Sequence, residues 1–121
     1  MIDISKTFSG FSTDDIAAAK VFYAEKLGLS VTESNGMLHL DLGGGREHLI
    51  YPKPQHEPAS YTALNFPTSD IETAVSELRE RGVVFESYPG VDEDGIMRQG
   101  GPRIAWFKDP AGNILSVLEQ A

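Results

Sequence analysis

Hydrophobic residues recur with helical spacing in two segments of the chain. In residues 12–27 apolar side chains return every three or four positions, and Gly28 follows as a stop. Residues 68–82 repeat this plan, with Gly82 at the end and a capping-box pattern at the start that makes Ser69 the N-cap and pairs it with Glu72. Each segment therefore predicts an amphipathic helix with one face turned toward a core.

Runs typical of β-strands surround both predicted helices. One run precedes each helix and three follow it, separated by glycine-rich or proline-containing turns. The runs are 4–11, 29–33, 37–42 and 47–51 in the first half, and 61–66, 83–88, 104–107 and 114–118 in the second.

The two halves follow the same order of elements. Thr13 and Thr68 occupy equivalent positions 55 residues apart, as do Ile16 and Ile71. Such self-similarity indicates an internal repeat. We expect one α+β domain over 1–121, in which tandem βαβββ modules, about 1–57 and 58–121, form a curved mixed sheet with a concave cup and one helix behind each half.

Residues 89–103 form the longest segment without a regular pattern. They are rich in glycine and contain the acidic run Asp92, Glu93 and Asp94. A loop of this length in a small domain is either a lid over a binding site or a solvated excursion.

Composition narrows the classes of function. The chain has 121 residues, a size that suits one domain, and no cysteine, which excludes disulfides, thiolate nucleophiles and Cys-ligated metals. Eighteen acidic against ten basic side chains give a formal charge of −8, so we expect no nucleic-acid partner. No run approaches the roughly 20 apolar residues of a membrane span, and no secretory signal is visible. A cytoplasmic protein without membrane partners is the expectation.

Several motifs in this order resemble the vicinal oxygen chelate superfamily, which includes glyoxalase I, extradiol dioxygenases, fosfomycin-resistance enzymes and bleomycin-binding proteins. The likeness covers nearly the whole chain. It rests on Thr13-Asp14-Asp15-Ile16 leading to Phe22-Tyr23, on Leu27-Gly28-Leu29, on Ser69-Asp70-Ile71 leading to Leu78 and Gly82, and above all on Asp109-Pro110-Ala111-Gly112-Asn113 after a strand. The resemblance to the bleomycin binders also implies a homodimer.

Metal-dependent members of this superfamily hold one divalent ion with four His, Gln or Glu side chains, two from each module. Carried over by motif, the four positions are Phe8, His48, Ala63 and Ser116. Phenylalanine and alanine offer no donor atom, and a neutral hydroxyl is a poor substitute for the usual Glu. We therefore expect neither a metal ion nor another cofactor.

Strand alternation indicates which side chains of 37–42 face the cup. The leucines at 38, 40 and 42 share one face, which leaves Met37, His39 and Asp41 on the other. A symmetric hairpin with Leu42 opposite Glu47 places Asp41 opposite His48. This pair is a candidate catalytic dyad with His48 as general base, although an ordinary cross-strand contact is the alternative. A shifted metal site of His39, Asp41 and His48 is a further alternative.

The same alternation predicts a largely apolar cup with a few polar groups, a composition typical of small-molecule sites. The competing interpretation is a cup filled by its own side chains or covered by a second subunit. The candidate ligand-binding residues are Phe8, His39, Ile50, Ala63, Asn65, Trp106 and Ser116, with Ile104, Ile114 and Leu118 on the same predicted surface.

Two functions remain open from the sequence. The first is a metal-free protein that binds a planar or amphipathic small molecule in the cup. The second is a lyase, isomerase or dioxygenase-type enzyme of the same superfamily that uses His48 with Asp41, or a shifted metal site.

Overall fold

Two sheets and two α-helices make up the part of the chain that the computed structural model describes, residues 1–120. The chain divides into two units, Met1–His56 and Glu57–Ala121, and each unit contains one sheet and one α-helix. The predicted α+β class with two tandem modules is confirmed, and each module forms a sheet of its own. Within the described residues, no helix is long and apolar enough to cross a membrane.

The first unit is a four-stranded sheet with a helix. Its strands lie in the order β1-β4-β3-β2; β1 runs parallel to β4, and the other neighbours are antiparallel. The elements are β1 (Ser9–Thr13), α1 (Ile16–Val21), β2 (Ser30–Ser34), β3 (Met37–Gly43) and β4 (Arg46–Pro52).

Helix α1 begins later than the pattern predicts, because residues 12 and 13 belong to β1. Asp15 is its N-cap, and the carboxylate accepts a hydrogen bond from the Ala18 amide at 3.0 Å. One π-helical turn, Phe22–Lys26, continues the helix. This turn buries Phe22 and Tyr23 and thereby supplies the aromatic part of the core.

One face of the first sheet is apolar and buried. Leu38, Leu40 and Ile50 are fully buried there, and the Phe11 ring lies 6.4 Å from the Tyr23 ring. Helix α1 contacts β3 and β4 on this side. The other face of the sheet carries the polar residues that alternate with the leucines.

The second unit is a three-stranded sheet in the order β5-β7-β6, with β5 parallel and β6 antiparallel to β7. Helix α2 contacts β7, and Asp70 rather than the predicted Ser69 is its N-cap, accepting from the Thr73 amide at 3.2 Å. The elements are β5 (Thr62–Thr68), α2 (Ile71–Glu80), β6 (Ile104–Lys108) and β7 (Ile114–Glu119).

Two predicted strands are corrected by the structure. Ile4–Lys6 is a short 3-10 turn capped by Asp3, so the first strand starts only at Ser9. Residues 83–88 form no regular strand; they touch β6 through one bridge, Phe85 to Phe107. The reason is that Pro89 and Gly90 turn the chain away from β6 shortly after this bridge.

The segment 89–103 is irregular, as predicted, and ion pairs attach it to α2. The Arg98 guanidinium lies 2.6 Å from Asp92 within the loop and 2.9 Å from Glu72 on the helix. Met97 also bridges to Ile104 at the start of β6. The loop is therefore anchored at both its middle and its end.

Candidate functional site

The hairpin of β3 and β4 has a different register from the predicted one. Asp41 pairs with Glu47, and His48 pairs with Leu40, so the expected pairing of Asp41 with His48 is wrong. The cause is a bulge at Leu42: the register shifts between Asp41 and Gly43, which then pairs with Arg46. The glycines at 44 and 45 form the two-residue turn with φ of 62° and 76°.

This one-residue shift moves His48 and Ile50 to the buried face. His48 is 1% exposed, and its Nδ1 is 2.8 Å from the Ser9 hydroxyl. The centroids of the His48 and Phe11 rings are 4.3 Å apart in an edge-to-face arrangement. Ile50 is fully buried opposite Leu38. Both residues, expected to line a cup, lie in the core of the first unit.

His39 and Asp41 do lie on the other face, as predicted, and they surround a shallow polar hollow. The imidazole Nδ1 of His39 is 3.6 Å from a carboxylate oxygen of Glu47, while Asp41 accepts from the Gly43 amide at 2.8 Å. The hollow has a volume of about 440 Å³ and is lined by Ser30, Thr32, His39, Asp41, Gly43, Gly44, Gly45, Arg46 and Glu47.

Glu47 lines this hollow, although strand alternation in the sequence did not predict it there. Glu47 is the ion-pair partner of His39. The alternation of side chains along the strand would have predicted it on this face if the bulge had been known. The contact between an imidazole and a carboxylate on this face of the first sheet is thus formed by His39 and Glu47.

The residues at the superfamily's four metal positions do not fit an ion. Phe8 and Ala63 have no donor atoms, and the Ser116 hydroxyl is engaged, donating to Asn65 Oδ1 at 2.6 Å. His48 belongs to the buried face, which also separates it from His39 and Asp41 and removes the shifted site. Across residues 1–120, no group of three or more His, Asp or Glu side chains is placed to hold a metal ion.

In the second sheet the register places several of the candidate ligand-binding residues on one face. Asn65 on β5, Ser116 on β7 and Trp106 on β6 form one row across the three strands. Ile104 and Leu118 pair with each other on the same face. Ala63 lies at a bulge in β5, where the register shifts between Thr62 and Leu64.

Trp106 is held in a defined position on this face. Its indole Nε1 donates to the Thr62 hydroxyl at 3.1 Å. Because β7 lies between β6 and β5, the indole extends across the width of one strand to make this bond. The Tyr88 ring packs against it, with centroids 5.7 Å apart and planes at 65°. A hydrogen bond and an aromatic contact thus fix the ring.

A hollow of about 490 Å³ surrounds Trp106, and we call it the Trp106 pocket. Its lining is aromatic and apolar with a few polar groups, and the Lys108 ammonium is 3.2 Å from Glu86. The lining residues are Pro58, Ala59, Ser60, Tyr61, Thr62, Tyr88, Trp106, Lys108, Gly112 and Ile114.

Most of these lining residues were not predicted as site residues. Tyr61 and Tyr88 lie at the outer ends of predicted strands, where alternation gives no reliable facing, and Lys108 and Gly112 belong to a hairpin end. In the sequence, the feature that could have indicated this pocket is the position of two tyrosines next to turn residues.

Comparisons with known proteins agree with this fold. The family model described as the Glyoxalase/Bleomycin resistance protein/Dioxygenase superfamily matches residues 8–117. The crystal structure of a glyoxalase family protein from Enterococcus faecalis has a TM-score of 0.70 at 28% identity, covering 93% of this chain and 94% of that chain.

Two further solved structures are similar in fold. TnmS3, an antibiotic binding protein from Streptomyces sp. CB03234, has a TM-score of 0.70 at 22% identity, with 99% and 100% of the two chains covered. A superfamily member from Sphaerobacter thermophilus has a TM-score of 0.68 at 24% identity, with 94% and 97% covered. Curated protein sequences give no significant match.

Proposed function

This chain belongs to the Glyoxalase/Bleomycin resistance protein/Dioxygenase superfamily, and from that premise we propose that it binds a planar aromatic small molecule in the Trp106 pocket without using a metal ion. The observation that carries the proposal is the fixed indole of Trp106. A ring already held by Thr62 and Tyr88 loses little conformational freedom when a ligand packs on it.

The chemistry of the pocket supports an aromatic ligand. Tyr61 is 70% exposed and Tyr88 is 36% exposed, so two phenol rings beside the indole remain accessible. Aromatic rings prefer offset-stacked or edge-to-face contacts with one another, and such contacts add to the gain from burial. Lys108 is neutralised by Glu86, which favours a ligand without a strong charge at that end of the pocket.

The use of this scaffold for binding agrees with one of its fold neighbours. TnmS3 is an antibiotic binding protein, and at 22% identity it shares the fold with this chain. A fold hosts many functions, so the proposal rests on the pocket and not on the neighbour.

The enzymatic alternative with His48 and Asp41 loses its geometric basis. A general base must lie within hydrogen-bond reach of its substrate, and His48 is buried in the core of the first unit. Asp41 is paired with Glu47 on the opposite face. We therefore do not carry this mechanism forward.

The indole signal of Trp106 provides a direct test, because the chain contains a single tryptophan. Its Nε1–H cross-peak in a ¹H–¹⁵N spectrum is monitored during titration with naphthalene, anthraquinone and acridine derivatives. We expect at least one compound to shift this signal with saturation. Trp106→Leu has no indole signal, so its affinity and that of the wild type are compared by equilibrium dialysis; the substitution should weaken binding by about tenfold or more, because it removes the largest contact surface.

Tyr51→Leu is the matched control, since Tyr51 is an aromatic residue of the first unit that is 41% exposed. This control should keep the wild-type affinity. The proposal is overturned if none of the aromatic compounds shifts the indole signal, or if Trp106→Leu binds them as tightly as the wild-type protein.

A further inference from the structure

Asn65 and Ser116 lie next to Trp106 in the row that crosses the second sheet. Ser116 is fully buried, whereas Asn65 is exposed, so the amide is the accessible end of this pair. Both side chains share the face that carries the indole. A ligand lying on that face therefore meets the Asn65 amide before it meets the serine.

The hydrogen bond between them fixes which end of the amide is presented. A serine hydroxyl has one hydrogen to donate, and here it lies 2.6 Å from Oδ1 of Asn65. An amide has a single carbonyl oxygen, and this oxygen is engaged by the serine. The Nδ2 group, with two hydrogens, is consequently the part of the amide that is left to donate to another molecule.

The spacing along β5 places this donor close to the pocket. Thr62 receives the indole hydrogen bond, and Asn65 follows three residues later. The bulge between Thr62 and Leu64 brings Thr62 and Asn65 to the same face despite their odd spacing. Thr62 pairs with Ile114 and Asn65 with Ser116, so the two residues are separated by two steps along β7; at about 3.3 Å per residue the donor is roughly 7 Å along the sheet from the Trp106 contact.

We propose that the Asn65 Nδ2 donates a hydrogen bond to a carbonyl oxygen of the ligand, so that the protein selects aromatic carbonyl compounds over aromatic hydrocarbons of the same shape. This inference rests on the proposed function and adds the chemical class of its ligand. Ser116 acts as a positioning residue, because its hydroxyl holds the amide in the donating orientation.

A pair of probes that differ only in the acceptor tests this selection. Affinities of 2-acetylnaphthalene and 2-isopropenylnaphthalene are measured by equilibrium dialysis with the full chain. The ketone and the alkene have nearly the same shape, but only the ketone accepts a hydrogen bond. We expect the wild-type protein to bind the ketone about five- to tenfold more tightly, the range that one net hydrogen bond provides.

Three variants assign the selection to the amide. Asn65→Leu should remove the preference by weakening ketone binding while leaving alkene binding within about twofold. Asn65→Asp should also remove the preference and should weaken ketone binding more strongly, because an ionised carboxylate has acceptors only. Ser116→Ala frees the amide to flip, so an intermediate preference is expected. Gln55→Leu, which removes an exposed amide from the first unit, should keep the full preference.

The outcomes separate this inference from the proposed function. If neither probe binds the wild-type protein, both proposals fail together. If both probes bind with equal affinity, or if Asn65→Leu weakens both equally, aromatic binding stands and the selection by Asn65 is overturned. Circular dichroism and thermal unfolding of each variant establish that the comparison is made between folded proteins.

Discussion

Arg98 is held by three carboxylates, and this cluster attaches the long loop to α2. Its guanidinium is 2.6 Å from Asp92, 2.9 Å from Glu72 and 3.6 Å from Asp94. The hydrogen bond from Arg98 is the main cause that holds the pKa of Asp92 below its ordinary value, followed by the hydrogen bond from the Ile96 amide. The pKa of Arg98 is raised by its hydrogen bonds to Asp92 and, second, to Glu72.

Replacing Arg98 with Met should destabilise the protein in a pH-dependent way. A carboxylate whose pKa is lowered by folding stabilises the folded state above its unfolded pKa, near 3.8 for Asp92, and this contribution is lost as the pH falls through the lowered folded pKa. The difference in thermal midpoint between wild type and Arg98→Met is therefore expected to be largest at pH 7 and to close progressively below about pH 4.

Arg103→Met is the matched control, because Arg103 is also solvent-exposed and lies 3.9 Å from its partner Glu119. That longer exposed pair should change the midpoint only slightly. Added salt at 1 M should reduce the effect of Arg98→Met, since the cluster is at the surface. An equal effect of Arg98→Met at pH 7 and at pH 3 would contradict the role of the Asp92 contact.

At the level of elements, the bulge at Leu42 decides the facing of the whole β4 strand. Leu42 is the extra residue between the pairs Asp41–Glu47 and Gly43–Arg46. Because side chains alternate strictly along a strand, one extra residue on β3 exchanges the two faces of β4 relative to the unbulged hairpin. This is why His48 is buried and Glu47 meets His39.

Deletion of Leu42 should therefore be tolerated. Without it, Asp41–Glu47 and Gly43–Arg46 become adjacent pairs of a regular hairpin, and no other residue needs to change face. We expect a loss of stability of no more than about 1–2 kcal/mol in urea unfolding, mainly from the half-buried leucine itself.

Deletion of Leu40 is the contrasting change in the same strand. It would turn Leu38 away from the core or displace the hairpin, and Leu38 and Leu40 are both fully buried. This variant should fail to fold cooperatively. If deleting Leu42 proves as damaging as deleting Leu40, the bulge is not the feature that sets the register.

On the scale of the whole molecule, the two units share one plan but carry different surfaces. The first sheet exposes a polar face with His39, Asp41 and Glu47, while the second exposes the row of Asn65 and Trp106. Of the four metal positions of this superfamily only His48 carries a usual ligand, and it lies on the buried face of the first sheet, while the positions in the second sheet are Ala63 and Ser116.

Metal removal should accordingly leave the protein unchanged. Protein purified without chelator is expected to hold fewer than about 0.1 divalent ions per chain, and dialysis against EDTA should shift the thermal midpoint by less than about 1 °C, because an ion bound to the native state would add stability. Elemental analysis and differential scanning fluorimetry measure these quantities.

A stoichiometric ion whose removal lowers the midpoint would contradict the metal-free interpretation. The variant His39→Ala then tests whether the ion binds at the first sheet, because His39 and Glu47 form an imidazole–carboxylate pair on an open face of that sheet. Retention of the ion in that variant would direct attention to the second unit.

The features that depend on local chemistry could be predicted from the order of residues alone. The α+β class, the two amphipathic helices and most strands follow from residue periodicity, since side chains three or four apart share a helix face and alternate ones share a strand face. The same rule placed Asn65, Ser116 and Trp106 on one face of the second sheet, because β7 pairs without interruption with β6 and, from Leu64 onward, with β5. The absence of ligands at Phe8 and Ala63 is likewise a property of side-chain chemistry alone.

The features that depend on how strands pair became visible in the folded chain. The bulge at Leu42 leaves the local pattern of leucines intact, so periodicity does not indicate that His48 pairs with Leu40 and not with Asp41. Residues 83–88 form one β-bridge with β6 and not a continuous ladder, which periodicity does not reveal. The Trp106 pocket required an indole reaching across β7 to Thr62, a contact between residues 44 positions apart. Periodicity records which side chains share a face, whereas register and long-range contacts determine which of them meet.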